Sequence, residues 1–240
     1  MNIRNLGIVA TLLTGVVLTG CKKNEQLRTA ENVGLTNKSF LKVYNATLSS
    51  TNVNVKVEGV LQSATIFTYA GLFPASTTYS VVDPGTRSIN IIDTNSTHRI
   101  NLTLSNNFEL SKYYTLFMYD TITAPKGKIV VDDIVVPTDS VARLRFANFL
   151  HSSLANVDVF SKSKNATIFS NISPLTVTPF MDHPSKKTDT FYLRPVNTIT
   201  NVATLIFTPG EKRNYTLIAR GRYGNTSGTL AQTLTLMTNY

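Results

Sequence analysis

The only cysteine of the 240-residue chain is Cys21, and it stands directly behind Leu18-Thr19-Gly20. That pattern is the one lipid attachment requires. The thiolate attacks a diacylglycerol donor, and a peptidase that cuts before the cysteine must fit small residues just upstream. The preceding residues suit an export signal: residues 1–5 carry one positive charge, Arg4, and residues 6–17 are apolar. That run is too short to cross a bilayer as a helix. Residues 1–20 are therefore expected to be a removable lipoprotein signal and Cys21 to carry acyl chains. Each buried CH₂ contributes about 0.8 kcal/mol, and a second chain converts marginal membrane binding into stable anchoring. Lys22 follows in place of the Asp that retains many lipoproteins at an inner membrane, so sorting to the outer membrane is expected. A lipidated cysteine leaves no thiol for catalysis or metal binding.

Other residues with chemical potential lack the partners they need. The three histidines, His98, His151 and His183, fall in or beside expected turns. No Gly-x-Ser-x-Gly nucleophile elbow is present. His151 and His183 share one half of the chain, but no spacing joins them to a serine and an acid. A run from Asp93 to Thr97 has the polar character of a calcium loop, without the Gly at position six or the Glu at position twelve; a hairpin loop with Asx-turns is expected there. Asp132 and Asp133 are adjacent on an expected strand and so point to opposite faces. Gly221-Arg222-Tyr223-Gly224-Asn225 leads into no helix and reads as a hairpin turn, not a phosphate loop. One cysteine excludes a disulfide framework and a Cys-rich zinc site. No catalytic residue, cofactor or metal is expected, and no enzyme.

Charge is the less uniform property. The formal net charge is +9, yet residues 22–141 hold 11 basic and 10 acidic side chains while residues 142–240 hold 11 and 4. Lys162 and Lys164, Lys186 and Lys187, Lys212 and Arg213, and Arg220 and Arg222 fall near expected turns. If those turns share one end, they form a cationic rim, expected on the membrane-distal domain, suited to acidic glycan, lipopolysaccharide phosphate or an acidic envelope protein. Nucleic acid is not an expected partner of an exported, tethered chain. Asp120-Thr121-Ile122 and Asp139-Ser140-Val141 match an O-glycosylation pattern of some bacterial envelopes, which makes Thr121 and Ser140 candidate acceptors.

The elements that must position these residues read as β-strands. Asn52-Val53-Asn54-Val55-Lys56-Val57 and Asn156-Val157-Asp158-Val159-Phe160 alternate with period two. Segments rich in Val, Ile, Thr and aromatics recur every 8 to 15 residues, separated by turn-formers such as Asp83-Pro84-Gly85 and Pro209-Gly210. The chain also repeats. Leu41-Lys42-Val43-Tyr44-Asn45 aligns with Leu144-Arg145-Phe146-Ala147-Asn148, Asp83-Pro84 with His183-Pro184, and Tyr113 to Phe117 with Asn214 to Ile218. The expected fold is all-β, two tandem immunoglobulin-like antiparallel β-sandwiches. The expected organisation is a signal at 1–20, a tether at 21–39, and sandwich domains at 40–138 and 139–240. Tyr114 and Tyr215 are expected to put their rings in the cores and their hydroxyls near the rims.

The Leu-basic-x-x-Asn opening strand, the Asn-Val-x-Val strand and the Tyr-Thr-Leu closing strand resemble a family of tandem β-sandwich domains of unknown function found in bacterial envelope lipoproteins. The resemblance covers residues 40–240 and implies no activity and no site residues. A non-enzymatic, lipid-anchored envelope module is thus the leading expectation, a rigid two-domain stalk that binds or supports through its loops. A fimbrial or surface-assembly subunit is the alternative, with residues 229–236 as a donor strand. A glycan-binding accessory lipoprotein is another, with some of the 10 tyrosines standing in for the absent tryptophan.

Overall fold

The computed structural model describes residues 35–240 apart from 64, 76, 95–99 and 153–155. The signal, Cys21 with Leu18, Thr19 and Gly20, His98 and most of the calcium-loop-like run lie outside the described residues. The first half of the chain forms β1 (Ser39–Asn45), β2 (Val53–Val57), β3 (Val60–Leu61), β4 (Leu72–Phe73), β5 (Ser80–Val82), β6 (Gly85–Asp93), β7 (Asn101–Phe108), β8 (Tyr113–Thr121) and β9 (Ala124–Asp132). The second half forms β10 (Val141–Asn148), β11 (Val157–Ser161), β12 (Ala166–Ile172), β13 (Met181–Pro184), β14 (Asp189–Pro195), β15 (Ala203–Phe207), β16 (Asn214–Arg220) and β17 (Thr233–Thr238). The molecule is all-β, as expected.

Each half is a two-sheet sandwich. In the first, the sheet β3-β2-β6-β7 faces the sheet β4-β1-β8-β9, with β5 also paired to β1. In the second, β12-β11-β14-β15 faces β13-β10-β16-β17. Separate apolar cores fill the two sandwiches, around Leu41, Val55, Ile91 and Leu116 in one and Leu144, Val159, Phe191 and Leu217 in the other. The sheets are not wholly antiparallel: β1 runs parallel to β8, and β10 parallel to β16. Parallel neighbours need a long crossover, and here the remaining strands of each half supply it.

The register repeats as well. Leu41 lies opposite Tyr114, and Leu144 opposite Tyr215. Left-handed backbone recurs at matching places: Ser49 and Ser152, Ala70 and Leu175, Ser111 and Lys212, Asp120 and Gly221. The tyrosine rings are buried and their hydroxyls accept backbone N–H groups five residues upstream, Glu109 to Tyr114 at 2.8 Å and Gly210 to Tyr215 at 3.0 Å. One sequence match is out by a position: Val82 pairs with Ser39 as His183 pairs with Ala142, so His183 corresponds to Val82 and not to Asp83.

The central strands of the inner sheets, β1 and β8 in one and β10 and β16 in the other, are buried on both faces over most of their length. Along β1 and β8, Leu41, Val43, Leu116 and Met118 enter the first core, and the alternate residues Lys42, Tyr44, Thr115 and Phe117 are equally buried on the other side. That second face is covered by the other half of the chain. Tyr44, Ala46 and Phe117 pack with Ala147, Phe149, Ile218 and Met237 in a third apolar cluster, and the Phe117 and Phe149 rings stack with centroids 4.7 Å apart. The two sandwiches therefore lie side by side, four sheets deep, joined through their inner sheets.

Candidate functional site

A connected group of charged and polar side chains lies in that joint. Alternation directs Lys42 of β1 and Arg145 of β10 out of their own cores and into the contact between the halves. Lys42 Nζ donates to the Thr238 carbonyl at 2.9 Å. Arg145 Nε donates to Thr216 Oγ1 at 2.8 Å, and its Nη2 lies 2.7 Å from Asp132 Oδ1. Asp132 Oδ2 accepts from Thr115 Oγ1 at 2.5 Å and from the Tyr79 hydroxyl at 2.7 Å. Asn239 Nδ2 reaches the Tyr79 hydroxyl at 3.1 Å, and Thr216 Oγ1 donates to Asn239 Oδ1 at 2.6 Å. Each half thus sends a cation from its first strand to the last strand of the other.

Burial sets the protonation of this group. Desolvation pushes the Lys42 ammonium down to about 8, against the opposing pull of Asp132. Desolvation, with the neighbouring Asp132 charge, drives the Tyr79 phenol well above its ordinary value. Arg145 and Asp132 are both buried, and the desolvation of two ions offsets much of their attraction. Their pairing accordingly fixes how the halves meet more than it adds net stability. The three charged members, Lys42, Asp132 and Arg145, are buried and each is engaged by protein groups.

A second buried group lies inside the second sandwich. Asp189 Oδ2 accepts from Ser161 Oγ at 2.5 Å and stands 3.1 Å from His183 Nε2; its Oδ1 accepts from the Ser163 N–H at 2.8 Å. Burial, with Lys164 nearby, lowers the His183 pKa, so the ring is neutral and donates from Nε2. Burial alone would raise Asp189, but the donors from Ser161 and Ser163 outweigh it and the carboxyl is held low. The serine contacts the acid and not the imidazole, and all three side chains are buried. This is a core hydrogen-bond cluster without the nucleophile–base contact of a triad. His151 is at the opposite end of the same sandwich, 3.5 Å from Asp120 of the first half, so the two histidines do not converge.

The basic residues singled out by sequence divide between two ends. Lys162 and Lys164 lie in the β11–β12 turn, Lys186 and Lys187 in the β13–β14 turn, and Lys212 and Arg213 just before β16. These turns meet at one end of the sandwich: the Lys162 N–H reaches the Thr190 carbonyl, that of Lys186 reaches Pro209, and that of Lys212 reaches Val141. All six side chains are exposed, and Lys186 pairs with Glu211 at 2.7 Å. Arg220 and Arg222 are at the other end. Arg220 is half-buried against the first half, 5.0 Å over the Tyr69 ring, and Arg222 follows β16, where its N–H bonds Leu230. The rim is therefore six residues, not eight.

The six-residue end is also the end at which Leu35, the first described residue, lies. Leu35, Phe40, Tyr79 and Tyr113 of the first half line a cleft of ≈ 370 Å³ together with Arg213 and Tyr240 of the second. The O-glycosylation candidates stand apart: Thr121 closes β8 at the far end and is half-buried, while Ser140 is exposed in the segment joining the halves. Of the segment considered as a donor strand, residues 233–236 are already committed, because they belong to β17, which pairs along its length with β16. Among the described residues no group of three or more His, Cys, Asp or Glu side chains could hold a metal. Sequence reasoning reaches Asp132 only as the neighbour of Asp133, and misses the joint it forms with Lys42, Arg145 and Asn239. Their one signal was the basic residue repeated within a strand otherwise destined for the core.

No curated protein matches the chain. Residues 39–153 match the model of a family described as a domain of unknown function, DUF4397, which takes in the whole first sandwich and runs on through β10.

Proposed function

We propose that the chain is a non-enzymatic module of the bacterial cell envelope. It is built from two tandem copies of one sandwich domain and held at the outer membrane by acyl chains on Cys21. The observation that supports this reading is the joint. The charged side chains best placed for chemistry, Lys42, Asp132 and Arg145, are spent on locking the halves together, and the exposed charge is a ring of turns. A unit of this kind acts as a firm body that presents an end. The glycan-binding alternative has one observation in its favour, the cleft lined by Phe40, Tyr113 and Tyr240; quenching of tyrosine fluorescence across a glycan panel tests it. A committed β17 counts against the surface-assembly alternative. The direct test is metabolic labelling with a palmitate analogue in cells. The wild-type chain takes the label and fractionates with the outer membrane, and Cys21→Ala does neither. Labelling that survives Cys21→Ala, or a soluble wild-type protein, overturns the anchored reading.

A further inference from the structure

The end of the molecule from which the tether leaves has a composition unlike the opposite one. In the second half it carries Lys162, Lys164, Lys187, Lys212 and Arg213, all exposed. In the first half the same end exposes large apolar side chains, Leu35 at 44%, Val60 at 63%, Leu61 at 52%, Leu110 at 52% and Val81 at 39%. Register places these together. Val57, which leads into the Val60–Leu61 hairpin, pairs with Ile89 in the middle of β6, but Val60 itself lines a cleft with Val81, Val82 and Asp83, and Val81 pairs with Phe40 at the start of β1. The Ser111 N–H, beside Leu110, bonds the Lys38 carbonyl. The two halves share this end because Arg143 at the start of β10 bonds the Asp133 carbonyl at 2.8 Å. Three acids here are drawn into local pairs, Asp83 with Lys38, Asp133 with Arg143 and Glu211 with Lys186, while Glu58, Glu109, Asp139 and Asp182 are exposed among the more numerous cations.

We infer that this end is a docking face for an anionic phospholipid bilayer. Exposed aliphatic and tyrosine side chains that enter the headgroup region, beside lysines and an arginine that meet lipid phosphates, are the two features that hold a protein on an anionic membrane surface. Position supports the same partner. The described chain starts at this end with Leu35, and residues 22–34 span at most ~45 Å when extended. A tether attached here keeps this face nearest the lipid, so docking becomes an intramolecular event at high effective concentration. The inference deepens the anchored reading and rests on it for orientation, but the face should recognise lipid without the anchor.

The test uses full chains with and without the acyl site, mixed with vesicles of phosphatidylcholine alone or with added phosphatidylglycerol. Cys21→Ala should sediment with the anionic vesicles and not the neutral ones, and high salt should release it. Adding Lys162→Glu, Lys187→Glu and Lys212→Glu to that chain should weaken vesicle binding at least about 100-fold, from roughly five-fold per cation, with an unchanged melting temperature. Arg222→Glu, at the opposite end, should change little. Equal binding to both vesicle types, no binding to either, or an equal loss from Arg222→Glu would overturn docking. Retention of inorganic phosphate without vesicle binding would also overturn it, leaving a small-anion site. Palmitate labelling of the wild type reads the anchor separately: labelling without docking defeats only this inference, and docking without labelling defeats only the anchor.

Discussion

The two halves of the chain share strand order, register and left-handed turn positions, yet they are wired differently where they touch. The first half contributes an acid, Asp132, to its last strand; the second has the neutral Asn239 at the matching place. Lys42 in the first half faces a backbone carbonyl, whereas Arg145 in the second faces that acid. Were Asn239 an acid like Asp132, two carboxylates would stand about 3.4 Å apart across the joint. The difference between the halves is what lets similar faces bury each other. A similar divergence appears at the far end of the parallel strand, where the left-handed position is Gly221 in one half and Asp120 in the other. Asp120 uses that place to reach Lys126 at 2.8 Å and His151 at 3.5 Å.

Removing the wiring should have the largest effect. Arg145→Met leaves Asp132 charged and buried beside Tyr79 and Thr115, which should cost about 3–5 kcal/mol in denaturant unfolding. The double variant Arg145→Met with Asp132→Leu should recover most of it, because the cost lies in the stranded charge. A smaller loss is expected from Gly221→Asp, which writes the first half's residue into the second. A Cβ there would meet the Ala231 carbonyl oxygen at 2.2 Å with φ at +99°, and about 3 kcal/mol is expected. The reverse exchange, Asp120→Gly, removes an exposed-side ion pair but relieves a left-handed residue, so a change within ~1 kcal/mol should be seen.

Titration separates the halves further. The Lys42 pKa is about 8 in the folded chain, below its unfolded value of 10.5. The unfolded chain thus holds the extra proton between those values, and stability should climb as pH rises from about 8. Tyr79, raised by burial, should reverse the trend above its unfolded value near 10, where only the unfolded phenol ionises. Lys42→Met should flatten the climb while sparing acid behaviour. In the second half, His183 has a lowered pKa, so stability is lost as pH falls through and below 6.5. His183→Val, the first half's residue, should remove that part of the acid slope and leave the alkaline limb unchanged. Melting temperature followed across pH for the two variants reads both effects.

The strands were legible because alternation and turn residues are local signals. The repeat was legible because Leu41 to Asn45 and Leu144 to Asn148 keep both spacing and residue type. The tyrosine positions followed for the same reason: an aromatic with a polar tip at the start of a strand has few places to go. The joint was not legible. A basic residue alternating with Leu41 and Val43 has the period of a solvent-facing position, and nothing near Lys42 in sequence announces that β17, almost 200 residues on, covers it. Asp132 and Asp133 were read correctly as facing opposite ways, since Asp132 is buried and Asp133 exposed, but which face was covered depends on a distant surface. Arg220 misled for a related reason. Proximity to a turn says that a residue is near an end, without saying which end or what packs upon it.

The central claim is that two sandwiches joined through their inner sheets behave as one body. Calorimetry of the wild-type chain tests it most directly. A joint with a continuous apolar cluster and a buried ion pair predicts a single transition whose calorimetric and van't Hoff enthalpies agree, with Arg145→Met dividing it in two. Two independent transitions in the wild type, unmoved by Arg145→Met, would contradict the account and return the halves to separate domains on a linker.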